Sequence, residues 1–236
     1  MAAVPRSIEF WFDFSSPYAY IASEWIEALA ARHGRTVNWR AILLGASFRV
    51  TGLATPVSFP LKRDYTMLDF ERSARFAGVP LTMPEVFPIA TQNAARIYWW
   101  LSSQDESRAR QWARHALRAY FTRGVDLSDN YALDKLAGEF GLAPGQAEAV
   151  WSNAEWKDRL RAENDAAVAA GVFGVPFFVV DGEPFWGNDR RAQIERWLER
   201  GFSLEASAGM VSFCCAGGEL TYTSIVEAAA ARPSSR

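Results

Sequence analysis

The sequence predicts an α/β fold interrupted by a large all-α insertion, and three observations predict it. Residues 8–44 read as strand, helix and strand: Ile8 to Phe14 alternates and is rich in aromatics, Ile21, Trp25, Ile26 and Leu29 recur at helical spacing, and Thr36 to Leu44 returns to a strand pattern. From about Pro60 to Ala170 the periodicity is helical almost throughout. The β signal then returns abruptly in GVPFFVVDG, residues 174–182.

Each element has its local reason. The first strand, Ile8 to Phe14, runs into Ser15-Ser16-Pro17. Proline suits the first helical position, where its missing N–H would have no partner anyway, and Ser15 or Ser16 supplies the cap. Gly34 closes that helix, and the second strand is expected parallel to the first because a helix links them. Residues 45–61 read as loop, with Gly52, Pro56 and Pro60. Helices are expected near 61–77, 91–103, 106–123, 129–139, 144–151 and 154–170, divided by Gly78-Val79-Pro80, Pro84 to Pro88, Gly124 and Gly141 to Gly145. After the late strand come a turn at Gly182, a short strand Glu183 to Trp186 and a helix from about Asp189 to Arg200. A βαβ half and a ββα half flanking a helical block, with Val175-Pro176 before the late strand, is the order of a thioredoxin-like fold. The thioredoxin-like domain is then 1–60 with 171–202, and the helical insertion is 61–170. Residues 203–236, weak in periodicity and rich in small residues, read as a poorly packed tail with one short helix at 223–231.

Composition narrows the function. Of 236 residues half are hydrophobic and 14% aromatic, enough for a sizeable core in one domain with an insertion. A net charge of −2 without a basic block argues against nucleic acid or an anionic membrane as partner. The longest apolar run, Val172 to Val180, is nine residues and contains Gly174 and Pro176, so no transmembrane helix fits there. The start, MAAVPRSIEF, has no apolar signal core, and a cytoplasmic location is expected. Cys214 and Cys215 are adjacent, no CxxC occurs, and His33 and His115 are the two histidines. Neither a disulfide framework nor a metal site is expected.

The chemistry concentrates in three places. Ser16 sits where unpaired N–H groups and the positive end of a helix dipole converge. It reads either as an ordinary cap or as a hydroxyl donor steadying an anion. No GxSxG elbow occurs and His33 lies at the far end of the same helix, so a serine nucleophile lacks its base. A thiolate brought by another molecule is the fitting anion, because thiol pKa values fall from about 8.5 at helix N-termini. Val175-Pro176 reads either as a plain strand start or as a cis turn; a cis bond leaves the Val175 backbone to pair with an extended peptide. Asn188 and Asp189 precede an apolar-periodic helix and read either as caps or as groups that hold an α-amino end. Together the three describe a site for a small γ-linked peptide thiol, glutathione.

FDFSSPYAY, GVFGVPFF and FWGNDR, in this order and spacing, resemble the 2-hydroxychromene-2-carboxylate isomerase family, related to the kappa-class glutathione transferases and the disulfide oxidoreductase A group. LLGASFRVTG and LKRDY fit as well, and the resemblance covers residues 6 to about 201. It implies that Ser16 replaces the first redox cysteine and hydrogen-bonds the glutathione sulfur. Val175 would pair its backbone with the cysteinyl unit, and Trp186, Asn188 and Asp189 would hold the γ-glutamyl end. Arg49 and Lys62 would meet the carboxylate of a small aromatic substrate, and a homodimer is implied too. Ser15 stands where the family usually has an apolar residue and could add a second hydroxyl to the corner. Arg49 replaces a common lysine, and Ala54-Thr55 replaces a frequent asparagine. Lys62 alone reads as a solvated lysine at a helix start, and Tyr98, Trp99 and Trp100 as helix-packing aromatics.

The activity so implied is glutathione-dependent isomerisation of 2-hydroxychromene-2-carboxylate to trans-o-hydroxybenzylidenepyruvate in aromatic-compound catabolism. A kappa-like glutathione transferase or peroxidase is the alternative, and a non-enzymatic peptide-binding module is an alternative of another class. Disulfide exchange is excluded at this corner, because Ser16-Pro17-Tyr18-Ala19 holds no sulfur.

Overall fold

The computed structural model describes residues 7–200. Four strands, β1 (Ile8–Phe12), β2 (Val37–Ala41), β3 (Phe177–Val180) and β4 (Glu183–Trp186), form one mixed sheet in the order β2-β1-β3-β4. β2 runs parallel to β1, joined through α1 (Pro17–Arg32), while β3 pairs antiparallel with both β1 and β4.

Strand alternation explains which face does what. Ile8, Phe10 and Phe12 point into the main core, where Phe10 lies in register with Trp39 and Phe178 and touches both rings. Glu9 and Trp11 point to the opposite face. That face is covered by α8 (Ala154–Ala169), whose Ala167 packs with Trp11, Val175 and Phe177. Arg40 ties the two layers by reaching Glu163 of α8 at 2.8 Å and Glu9 of β1 at 3.4 Å.

β2 is the sheet edge nearest the helical block, and its outward carbonyls are met by α4 (Gln92–Ser102). Tyr98 Oη donates to the Trp39 carbonyl and Trp99 Nε1 to that of Ala41. These aromatics therefore pack, as expected, and also pair an edge that would otherwise invite another strand.

The other helices are α2 (Leu44–Thr51), α3 (Pro60–Ala77), α5 (Glu106–Arg123), α6 (Asn130–Glu139), α7 (Gln146–Ser152) and α9 (Arg191–Arg200). All but α2 fall where the periodicity predicts. α2 corrects the expected loop at 45–61. It is two turns long and buries only Ser47, so it leaves no apolar period to detect. β2 stops at Ala41 because Leu43 and Leu44 turn their N–H groups to side chains, Asn164 Oδ1 at 2.8 Å and Asp13 Oδ2 at 2.7 Å. β3 starts three residues after Gly174, and Asn188–Arg190 forms a 3₁₀ turn before α9. The described residues, 7–200, cohere as one compact unit. The expected tail at 203–236, with its short helix, lies outside the described residues. Among those described, no helix is long and apolar enough to cross a membrane.

Candidate active site

β1 ends at Phe12, and the next residue, Asp13, is a buried carboxylate that organises the corner. Its Oδ1 accepts from the Ser15 N–H (2.8 Å), the Ser15 hydroxyl (3.0 Å) and the Thr91 hydroxyl (2.7 Å); Oδ2 accepts from the Leu44 N–H (2.7 Å). One side chain thereby joins the end of β1 to the starts of α1, α2 and α4. It also takes up the Ser15 hydroxyl. Ser15 adds no second hydroxyl to the corner, because Asp13 lies two residues back and claims it.

Ser16, not Ser15, is the N-cap of α1. Its backbone is extended (φ −96°, ψ 115°) and its Oγ accepts from the Ala19 N–H at 3.2 Å. With that N–H received, the hydroxyl proton remains to be given, and the nearest acceptor is the Val175 carbonyl at 3.5 Å, the outer limit of a hydrogen bond. No acidic residue stands in the first turn of α1 to offset the dipole. A buried hydroxyl donor thus faces Val175 across the chain, and the Val175–Pro176 bond is cis.

The turn at 186–189 is stitched to this loop. The Gly187 N–H donates to the Pro176 carbonyl at 3.0 Å, and the Trp186 indole lies against Phe173 and over Gly174. A Cβ at position 174 would come within 2.5 Å of the indole nitrogen, so a larger residue there would have to displace the indole. Asn188 Oδ1 accepts from Trp25 Nε1 of α1 at 2.8 Å, which commits its carbonyl oxygen to holding the turn. Only the Asn188 amide NH₂ can then turn to a ligand. Asp189 is exposed and paired with Arg190 at 3.0 Å.

Tyr18 adds a feature that the sequence reading missed. Its hydroxyl donates to Asp69 Oδ2 of α3 at 2.5 Å, and its ring packs edge-on to Phe70. Burial first, then the Asp69 hydrogen bond, pushes this phenol far above its ordinary range, with Tyr65 and Asp189 adding to the effect. Tyr18 stays protonated, and α3 is fastened to the first turn of α1. Asp13 was also missed, although a carboxylate between Phe12 and Phe14 in an apolar run is a visible signal.

The structure brings Ser16, Val175, Trp186 and Asn188 to one corner, with Asp189 at its rim. It does not tie Arg49 or Lys62 to that corner. Arg49, near the end of α2, lines a groove of about 410 Å³ against Asn164, Asp165 and Val168 of α8. Lys62 opens α3, exposed, with its ammonium 5.3 Å from the Phe59 ring. A second groove of about 420 Å³ runs along α5 beside Arg114, His115 and Arg118, and includes none of these residues. His115 there is held below its usual pKa by burial and by Arg123, so it is neutral at pH 7. Among the described residues no group of three His, Cys, Asp or Glu could hold a metal ion.

A parallel βαβ unit, a cis-proline strand and a helix cap facing it define the thioredoxin-like class, here with serine and alanine where exchange chemistry needs sulfur. Residues 7–199 match the DSBA-like thioredoxin domain family. The 2-hydroxychromene-2-carboxylate isomerase of Sphingobium xenophagum is 32% identical over 82% of this chain and 98% of its own length. The chain belongs to the DSBA-like thioredoxin family and, within it, to that of the 2-hydroxychromene-2-carboxylate isomerases. A solved 2-hydroxychromene-2-carboxylate isomerase superposes with a TM-score of 0.74 at 26% identity, covering 82% of this chain and 94% of that one. Glutathione S-transferase kappa 1 of Caenorhabditis elegans is 27% identical over 85% of this chain and 93% of its own.

Proposed function

We propose that this protein is a glutathione-dependent isomerase of 2-hydroxychromene-2-carboxylate, yielding trans-o-hydroxybenzylidenepyruvate in the cytoplasmic breakdown of aromatic compounds. The observation that carries the reading is the Ser16 hydroxyl, buried at the N-terminus of α1 and facing Val175 before cis-Pro176. The corner fits glutathione on its own terms. Ser16 has a proton to give, Val175 precedes the ladder of β3, and Trp186 and Asp189 line the open side.

Bound there, glutathione supplies a sulfur nucleophile that the chain itself lacks at this corner. The chain's part is to lower the free energy of the ionised sulfur and to orient the electrophile. Ser16 O–H and the α1 dipole favour the thiolate; each unit of pKa depression corresponds to about 1.4 kcal/mol, and the two together are worth one or two units, roughly. Val175 N–H and C=O align the peptide in strand fashion. Asp189 takes the γ-glutamyl amino group, with Asn188 contributing its NH₂. Lys62 and Arg49 hold the substrate carboxylate. Asp165 lines the same groove as Arg49.

The test is turnover of the hydroxychromene carboxylate with and without glutathione. Isomerisation needs glutathione and leaves its concentration unchanged, whereas the transferase activity that the kappa-class relatives suggest would consume it stoichiometrically. Ser16→Ala removes the hydroxyl and leaves the dipole, so it should shift the ultraviolet titration of bound thiol upward by part of the combined effect, roughly one unit at most, with little change in fold. An unshifted titration removes Ser16 from the role.

A further inference from the structure

The groove along α5 gathers polar groups that the Ser16 corner does not use. Its volume, about 420 Å³, lies in the range of small-ligand pockets, roughly 300–1,000 Å³. Arg114, His115, Arg118 and Arg123 line it from α5, and Phe140 lines it from the end of α6. Two polar atoms of these residues, Arg114 Nε and His115 Nε2, are buried with no hydrogen-bond partner among the described residues. Buried polar atoms are ordinarily met, because leaving one unmet costs free energy.

Charge and hydrogen-bonding capacity narrow what meets them. Arg118 is held by Glu24 of α1 through two bonds, at 2.8 and 2.5 Å, and Arg123 by Glu139 of α6 at 3.0 Å. Each of those cations is balanced by its carboxylate. Arg114 has no carboxylate partner among the described residues. Its guanidinium rests over the Trp39 ring at 5.5 Å, which fixes its place and leaves its N–H fork open. The neutral His115 ring is held by a hydrogen bond with the Leu136 backbone. With Nδ1–H donated there, Nε2 is a lone pair and calls for a donor. The Phe140 ring, 5.6 Å from that of His115, supplies an apolar wall. The groove thus offers one uncompensated positive charge, one acceptor and one aromatic face.

A phosphate monoester is a poor match, since at pH 7 it brings about two negative charges and only acceptor oxygens to a single free cation and a lone pair. A carboxylate matches both the charge and the fork of Arg114. A hydroxyl on the same molecule gives Nε2 its proton, and a ring between them lies on Phe140. We propose that the α5 groove is a second ligand site, which takes one hydroxy-substituted aromatic carboxylate per chain with its carboxylate on Arg114 and its hydroxyl on His115. The site uses no residue of the Ser16 corner and stands whether or not the reaction proposed there occurs.

Proton NMR of the full chain reads the groove separately from the Ser16 corner, because the chain has two histidines and His33, the C-cap of α1, is the internal control. His115→Phe assigns the resonances. The probes are the ring isomers of hydroxybenzoate, benzoate and inorganic phosphate, near neutral pH. One hydroxybenzoate isomer should shift the His115 ring signals saturably, leave those of His33 in place, and bind several-fold more tightly than benzoate. Arg114→Gln should weaken that binding by about tenfold or more. Arg114→Lys keeps the charge without the fork and should weaken it less, with the circular dichroism spectrum unchanged. Four results overturn the proposal. They are no saturable shift at His115, benzoate or phosphate binding as tightly as every hydroxybenzoate, unchanged affinity in a folded Arg114 variant of either kind, and a His115 ring that takes up a proton as the probe binds. In the last case His115 would serve as a second cation and not as an acceptor.

Discussion

Asp13 shows how much one side chain carries at the residue scale. A buried carboxylate is tolerated only when its lone pairs are met, and here two backbone N–H groups and two hydroxyls meet them. Asparagine keeps the size but presents an NH₂ to a donor on one side. Asp13→Asn should therefore lower unfolding stability by roughly 2–3 kcal/mol, the cost of leaving a buried donor unmet. A urea midpoint equal to that of the parent would refute this role. Serine at 15 gains its meaning from the same carboxylate, whereas Ser16 gains its own from the helix it caps.

At the scale of elements, the site depends on segments distant in sequence being tied together. α1 supplies the cap, and it also restrains the 186–189 turn through Trp25 Nε1 and Asn188 Oδ1. Trp25→Phe removes that donor while keeping an aromatic ring against Phe178. It should cost about 1–2 kcal/mol of stability. In the proposed reaction it should raise the KM for glutathione several-fold and leave kcat near that of the parent. A fall in kcat at unchanged KM would place Trp25 in the chemistry and not in the restraint of the turn. α4 plays a matching part for the sheet, closing the outer edge of β2 with Tyr98 and Trp99.

At the scale of the molecule, the four tyrosines Tyr18, Tyr20, Tyr98 and Tyr120 all have phenols held above their ordinary pKa, chiefly by burial. Tyr20 is pushed up to about 12. A folded pKa raised above the unfolded 10.0 contributes stability that is whole below pH 10 and is lost as pH climbs toward the folded value. Unfolding midpoints should thus hold steady up to about pH 10 and decline above it. Part of the tyrosinate absorbance should appear only together with loss of the near-ultraviolet circular dichroism signal. If all seven tyrosines ionise in one step near pH 10 with the fold intact, these phenols are not buried as described.

The sequence by itself determined the order of elements and the identity of the corner. Alternation fixed the strands, apolar spacing and Gly-Pro breakers fixed the helices, and Ser16-Pro17, Val175-Pro176 and Asn188-Asp189 carried enough local chemistry to be read as one site. Such signals are legible because they depend on neighbours within a few positions along the chain. Only the tertiary structure decided what each side chain is free to do. It assigned the Ser15 hydroxyl to Asp13, the Asn188 carbonyl to Trp25 and the Tyr18 phenol to Asp69, and it put Arg49 beside Asp165. It also formed α2 where no period announces a helix, because side chains of Asp13 and Asn164 receive the N–H groups at its start. Those outcomes depend on partners 2 to 163 positions away. A hydrogen-bonding group has a fixed capacity, and which neighbour fills it is settled only when the chain has folded.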